Sequence, residues 1–406
     1  MIDIDAYLLT LMQTAETGNS LRMTLFDFLK RHRNKLLVVG GAAGAIVVMN
    51  KILANYEKRW ESSSSRNFVH EARKREIHFE NIINECNQLC QRMSPKIIKR
   101  LEELLDDANL VEELTSKRKE KNVNDKVEIW KSIKVKILTR LLGEIYCTCI
   151  LVCYMRVQMS VIGGQVFAKS MTNDNSGSSS ASVADLTHMK AYTRYIALLG
   201  AFYDQKFDYL IQPVEDAVQE TLQGYKIDYN ISIQDFKVIL EKIKRSISFY
   251  LSSPDSKSRV FFLDAENLPA LDISSACPDT GTMTEQDEQM LRGMLAETQD
   301  ILESDDFKQV LESSIEVGYA ILLDNLLEAF IKLDNKFNKG KSESSSSSNP
   351  NSIQVPLIKL LPQIRNSYLK RDETEQKALV NHLLCLDVLN CFAANVYEAF
   401  CVPKTQ

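Results

Sequence analysis

Apolar and polar residues alternate with a period near 3.6 over most of this chain, the repeat of a helix with one buried face. From Arg66 to Met93 the apolar positions are Phe68, Ala72, Ile77, Phe79, Ile82, Ile83, Cys86, Leu89 and Cys90. Ser94-Pro95 predicts the end of that helix and the start of a second, reaching about Leu114, because proline suits a first turn. A charged loop, SKRKEKNVND, comes next. A long third helix is predicted from about Lys126 to beyond Gly164. Further helices are predicted near 184–224, 231–252, 284–303, 306–332, 353–367 and 373–400. Thr282 and Glu285 have capping-box spacing at the start of the 284 helix. Serine-rich stretches at 62–65, 173–182 and 341–351 read as flexible loops. With no strand cluster and no internal repeat, the expected fold is all-α, an elongated helical bundle with long helices.

Two apolar segments change the picture. Residues 36–50, LLVVGGAAGAIVVMN, carry no charge, and Lys51 is followed by ILANY up to Tyr56. A spanning helix needs about 20 apolar residues, and Lys51 can snorkel its ammonium to the headgroups. Basic residues flank the segment on both sides: KRHRNK at 30–35, then Lys58 and Arg59. No small-residue cleavage site stands out, so 36–56 reads as one N-terminal transmembrane helix rather than a cleaved signal or a core helix. Gly40 and Gly44 form a GxxxG pair, which lets two spanning helices approach closely. The second segment, IYCTCILVCYMRVQMSVIGG at 145–164, is bounded by Glu144 and interrupted by Arg156. Its uncharged run is too short to cross a bilayer, so it reads as the central buried helix of the bundle.

Composition narrows the function classes. The 406 residues are 45% hydrophobic and 25% charged, as in a folded domain, and the net charge of −5 gives no reason to expect nucleic-acid binding. The nine cysteines are irregularly spaced, with no CxxC pair. They read as buried thiols in a reducing compartment, without a disulfide frame or structural zinc. The five histidines fall in no metal-ligand spacing and read as surface or capping residues. Nucleophile-elbow and phosphate-loop motifs are absent outside the anchor's glycines. The expectation is a protein with no catalytic residues, no cofactor and no metal; it is not an enzyme.

One stretch stands out. KVEIWKSIKVK, residues 126–136, sets Trp130 among lysines. At about 100° per residue, Lys126 and Lys134 flank the indole one turn away on either side, and Val127, Ile133, Ile137 and Leu141 share its broad face. One reading is an ordinary core stripe with lysine stems laid over its margin. The other is a docking groove: a partner's amphipathic helix presses on Trp130, and its acidic residues meet Lys126, Lys134 and Lys117 or Lys121.

The residues in order resemble the peroxin-3 (peroxisomal biogenesis factor 3) family. The resemblance is carried by FLKRHRNK at 28–35, EARKREIHFE at 71–80, KVEIWKSIK at 126–134, YCTCILVCYMRVQMSVIGG at 146–164, ETQDILESDDF at 297–307, LLDNLLEAF at 322–330 and FAANVYEAF at 392–400. These stretches cover nearly all of the chain from Met23 on, and none is a catalytic signature.

The resemblance implies a docking receptor of the peroxisomal membrane, held by one helix, with the bulk of the chain in the cytosol. Its partner would be the import chaperone peroxin-19, bound through that protein's N-terminal amphipathic helix, which delivers peroxisomal membrane proteins for insertion. Peroxisomal membrane lipid would surround the anchor, and no nucleic acid is implied. The family's groove lies far from the membrane and contains a tryptophan matching Trp130. Carried over with it are Lys126, Ile133 and Lys134, and then Lys117, where the loop to Asp125 is longer than the family's. The wheel adds Val127 and Ile137. The expected organisation is an extension at 1–22, a basic targeting segment at 23–35, the transmembrane helix at 36–56 and a cytosolic helical domain at 66–406. Residues 1–22 precede the family's usual start, as a true extension or through an upstream start codon, and the second is preferred. Loop charge alone would place the N-terminus in the cytosol; the family places it in the organelle lumen, and that orientation is adopted. Two other readings are a tether for inheritance or degradation factors and a lipid carrier or membrane enzyme using a cavity beside the 145–164 helix.

Overall fold

The computed structural model describes residues 68–117, 123–176, 189–205, 207–226, 228–252, 283–338 and 353–401. The expected extension, targeting segment and anchor lie outside these residues, as do Lys121, Cys277 and most of the serine-rich stretches. In chain order the elements are α1 (Phe68–Leu104), α2 (Ala108–Ser116), α3 (Val123–Ser176), α4 (Met189–Gln205), α5 (Phe207–Leu222), β1 (Asn230–Ser232), α6 (Ile233–Ser252), α7 (Glu285–Glu303), α8 (Asp305–Asn338), β2 (Gln354–Pro356), α9 (Leu357–Leu369), α10 (Glu373–Gln376), α11 (Ala378–Leu384) and α12 (Asp387–Cys401).

The axis is α3, 54 residues long, or about 80 Å at 1.5 Å per residue. From Ile133 to Ala168 it is buried almost without interruption, as a helix apolar on all sides must be. By length and composition it could cross a membrane, yet its apolar window is wholly covered by the rest of the protein. The expected central buried helix is therefore what the structure contains. α1, α5 and α12 pack along it. α1 runs antiparallel to α3: Leu101 faces Gly143, and Ile82 faces Gly163. Gly164 permits a close approach by α12, since a Cβ there would stand 2.6 Å from both the Tyr397 carbonyl oxygen and the Phe400 Cβ.

Arg156, fully buried in mid-α3, ties three elements together. It donates to Asn87 Oδ1 at 2.7 Å, the Ile83 carbonyl at 3.3 Å and the Leu384 carbonyl at 3.4 Å. The last of these belongs to the 55° bend between α11 and α12. The single helix predicted at 373–400 is thus three helices, and the carbonyl freed at the bend is satisfied by Arg156 and Asn390.

Other local expectations are corrected. α1 continues through Pro95. The proline loses one backbone bond, but Ile97, Ile98 and Leu101 beyond it are buried and hold the turn in place. The capping box uses Thr284 and Asp287, two residues after the predicted pair. The helix predicted over 184–224 is divided into α4 and α5, and α3 continues into the 173–182 stretch as far as Ser176. β1 and β2 form a small antiparallel sheet with Ile231 opposite Val355. Each is three residues long, too short for alternation to register, and each feeds directly into a helix. Cys86, Cys90, Cys147, Cys149, Cys153 and Cys401 are buried free thiols as expected, while Cys385 and Cys391 are exposed. His78, read as a surface or capping residue, is buried against Phe167 and Tyr397.

Candidate docking surface

The apolar face of α3 continues past the point where α1 stops covering it. Ile137 and Ile133 on this face are buried, whereas Trp130 and Val127, one and two turns nearer the start of α3, are half-buried. Beside them the chain turns back as α2. No residue of α2 is buried, but Leu110, Val111 and Leu114 lie half-covered on the same core as Trp130. The result is a strip of partly wetted apolar side chains on two neighbouring helices. It lies at the end of the bundle opposite the start of α1.

The corner from which α2 projects is held by ions. The Asp107 carboxylate is buried and accepts from Arg365 Nε at 2.6 Å, Arg365 Nη2 at 3.0 Å and Arg140 Nη2 at 3.5 Å. Burial alone would raise its pKa, but the Arg365 hydrogen bonds and the charges of Arg140 and Arg365 hold it below the usual carboxylate value. Arg140 also donates to the Leu105 carbonyl, and Lys136 Nζ donates to the Asp106 carbonyl at 2.8 Å. Two carbonyls in the turn after α1 thus each meet a cation from α3. Spacing alone gave no sign of this clamp.

The lysines do not form the wet ring that the helical wheel implied. Lys134 is buried, and its ammonium donates to the Leu222 carbonyl at 2.9 Å and the Tyr225 carbonyl at 3.0 Å. It caps the C-terminal end of α5, where a cation is favoured. Burial, with the nearby charge of Lys131, lowers its pKa. Lys131 pairs with Glu128 at 2.6 Å, and Lys117, at the end of α2, pairs with Glu113 at 2.7 Å. Lys126 is half-buried beside Val127. Of the seven site residues read from the sequence, Trp130, Val127, Lys126 and Lys117 reach the surface. Ile133, Ile137 and Lys134 sit beneath it and position it. Leu110, Val111 and Leu114 were missed, although their i, i+1, i+4 spacing marks an apolar face on a short helix.

A family model described as Peroxin-3 matches residues 99–195 and 205–399 of the chain. The chain belongs to the peroxin-3 family. Trp130 and both helices of the strip fall inside the matched residues. Peroxisomal biogenesis factor 3 of Mus musculus is 27% identical over 393 residues, covering 94% of this chain and 98% of that protein. The Homo sapiens protein of the same name is 27% identical over 389 residues, with the same coverage. Peroxisome biogenesis protein 3-2 of Arabidopsis thaliana is 20% identical over 349 residues. Membership of the peroxin-3 family places this chain's role in peroxisome biogenesis and its location at the peroxisome. The family is named for biogenesis, and the name denotes no catalytic activity.

Proposed function

We propose that this member of the peroxin-3 family is a docking receptor of the peroxisomal membrane, held by residues 36–56, with its helical domain in the cytosol. Its strip at Trp130 receives the N-terminal amphipathic helix of the import chaperone peroxin-19, and docking there leads to insertion of peroxisomal membrane proteins. The observation that carries this reading is that Trp130 on α3 and Leu110, Val111 and Leu114 on the neighbouring α2 are each only partly covered by the chain itself. An aromatic ring in a partly apolar strip is the usual centre of a helix-in-groove interface. The position suits a receptor: α1 begins at the opposite end, after the anchor segment, so the strip faces away from the bilayer. Lys126 and Lys117 border it and favour an acidic edge on the incoming helix.

The test is binding of the full-length chain, held in detergent or in vesicles, to a labelled N-terminal helix of peroxin-19. Trp130→Ala is expected to weaken binding by about 2 kcal/mol or more, roughly thirtyfold, as for an interface hot spot. Circular dichroism should show the helical content unchanged. Unaltered binding by the folded variant would move the site elsewhere and favour the tether reading.

A further inference from the structure

α5 and α6 are antiparallel neighbours whose outward faces carry opposite charge. α5 holds Asp208, Glu215, Asp216 and Glu220 and no lysine or arginine. On α6 the outward line is Val238, Lys242, Arg245 and Phe249, spaced by four, three and four residues and so on one face. Val238 is 65% exposed and Phe249 80%, the highest values among the large hydrophobic residues described. Side chains of this kind, left in water beside charges, mark interaction surfaces. Lys242 and Arg245 are exposed, and neither forms an ion pair with another described residue.

We propose that this face binds the same face of a second copy of the chain, about a two-fold axis parallel to α5 and α6. The charge pattern selects the axis. Rotation about a line running along the two helices lays each basic α6 on the acidic α5 of the other copy. Rotation about a line across the helices would set like charge on like charge, which is repulsive. In the selected arrangement Lys242 and Arg245 meet Asp208 and Asp216 of the second copy, and Val238 and Phe249 are covered between them.

The same axis suits a membrane-held protein. α5 runs antiparallel to α3: Lys134 caps its end at Leu222, and Ile211 lies over Gly143. A two-fold along these helices leaves both copies of α1 starting at the same end of the pair. Two chains anchored in one membrane therefore meet without either being inverted, and confinement to the membrane raises their effective concentration.

Charge reversal tests this in the full-length chain, with self-association followed by sedimentation in detergent. K242E/R245E and D208K/D216K should each weaken self-association at least about tenfold, as for opposed interface charges. An equimolar mixture of the two should associate as the native chain does, and so should the variant carrying all four reversals. A native chain that stays monomeric at every concentration overturns the proposal. So does a mixture that fails to restore association. Reversals without effect would assign any association to another surface, such as Gly40 and Gly44. Should a reversal unfold the chain, Phe249→Ser and the neutral pair K242Q/R245Q pose the same question, and unchanged association with them overturns the proposal as well.

Discussion

Around Phe167, near the C-terminal end of α3, the apolar surface is closed over by side chains from α1 and α12. His78 of α1 and Tyr397 of α12 pack on the Phe167 ring, Phe79 of α1 packs on Tyr397, and Cys401 is buried beside them. Around Trp130, near the other end, α1 has already stopped, and the cover comes from the end of α5 beside Lys134 and from α2, none of whose residues is buried. Both ends are rich in aromatic and aliphatic groups. They differ in which backbone reaches them. Gly164 lets α12 lie directly on α3 at the closed end, whereas the open end is framed by ion pairs that hold a short helix beside the tryptophan. Apolar surface finished by the chain itself stabilises the fold; apolar surface framed and left partly wet is what the proposed docking would use.

The frame of the open end is where the largest loss of stability is expected. Asp107→Asn leaves the buried Arg140 and the mostly buried Arg365 without their carboxylate. Removing one member of such a cluster costs about 3–5 kcal/mol. Arg365 keeps some contact with water, so the expected value is about 3 kcal/mol. Denaturant unfolding measures it, with Trp130 fluorescence as a local probe. A loss under about 1 kcal/mol would show that the corner is held by packing rather than by its ions.

At the closed end the sensitive group is His78. Burial lowers its pKa from 6.5 to about 3. Between those values the unfolded chain binds the proton that the folded chain refuses. The contribution of neutral His78 is therefore complete above about pH 6.5 and is lost as the pH falls toward 3. From pH 7 to pH 5 the loss is about 2 kcal/mol. His78→Phe should flatten that part of the stability curve. An equal slope with and without the histidine would place the pH dependence elsewhere.

Lys134 is the next test, because it lies beneath the open end without belonging to its surface. Lys134→Met strands two carbonyls at the end of α5, with an expected cost of about 1–2 kcal/mol. Binding of the partner helix should change by much less than with Trp130→Ala. If Lys134→Met instead abolishes binding while the chain stays folded, the ammonium must leave α5 to meet the partner.

These residues also show what the sequence could and could not disclose. The buried course of α3 was legible because its apolar run leaves no polar face, and Trp130 was legible because one indole on a helical stripe is rare here. The burial of Lys134 was not, since its acceptors lie 88 and 91 residues away and are backbone carbonyls, which any residue supplies. The Asp107–Arg365 pair spans 258 residues. Pro95 misled because a local rule gave way to the packing of Ile97, Ile98 and Leu101. Periodicity reports which face is apolar; how far the cover extends along that face depends on where distant helices stop.

The smallest expected effect concerns the ion pair at the closed end. Arg75 pairs with Glu398 at 2.7 Å and joins α1 to α12 beside the His78 cluster, so it could be taken for the clasp of that end. Both side chains remain in substantial contact with water, and Glu398 is about half exposed. Exposed pairs contribute roughly 0–1 kcal/mol. Glu398→Gln keeps the shape and removes the charge, so its thermal midpoint should lie within a few degrees of the native value. A larger drop would make the closed end resemble the open one, with ions deciding both. A small one leaves the aromatic stack and the Gly164 approach as what seals it.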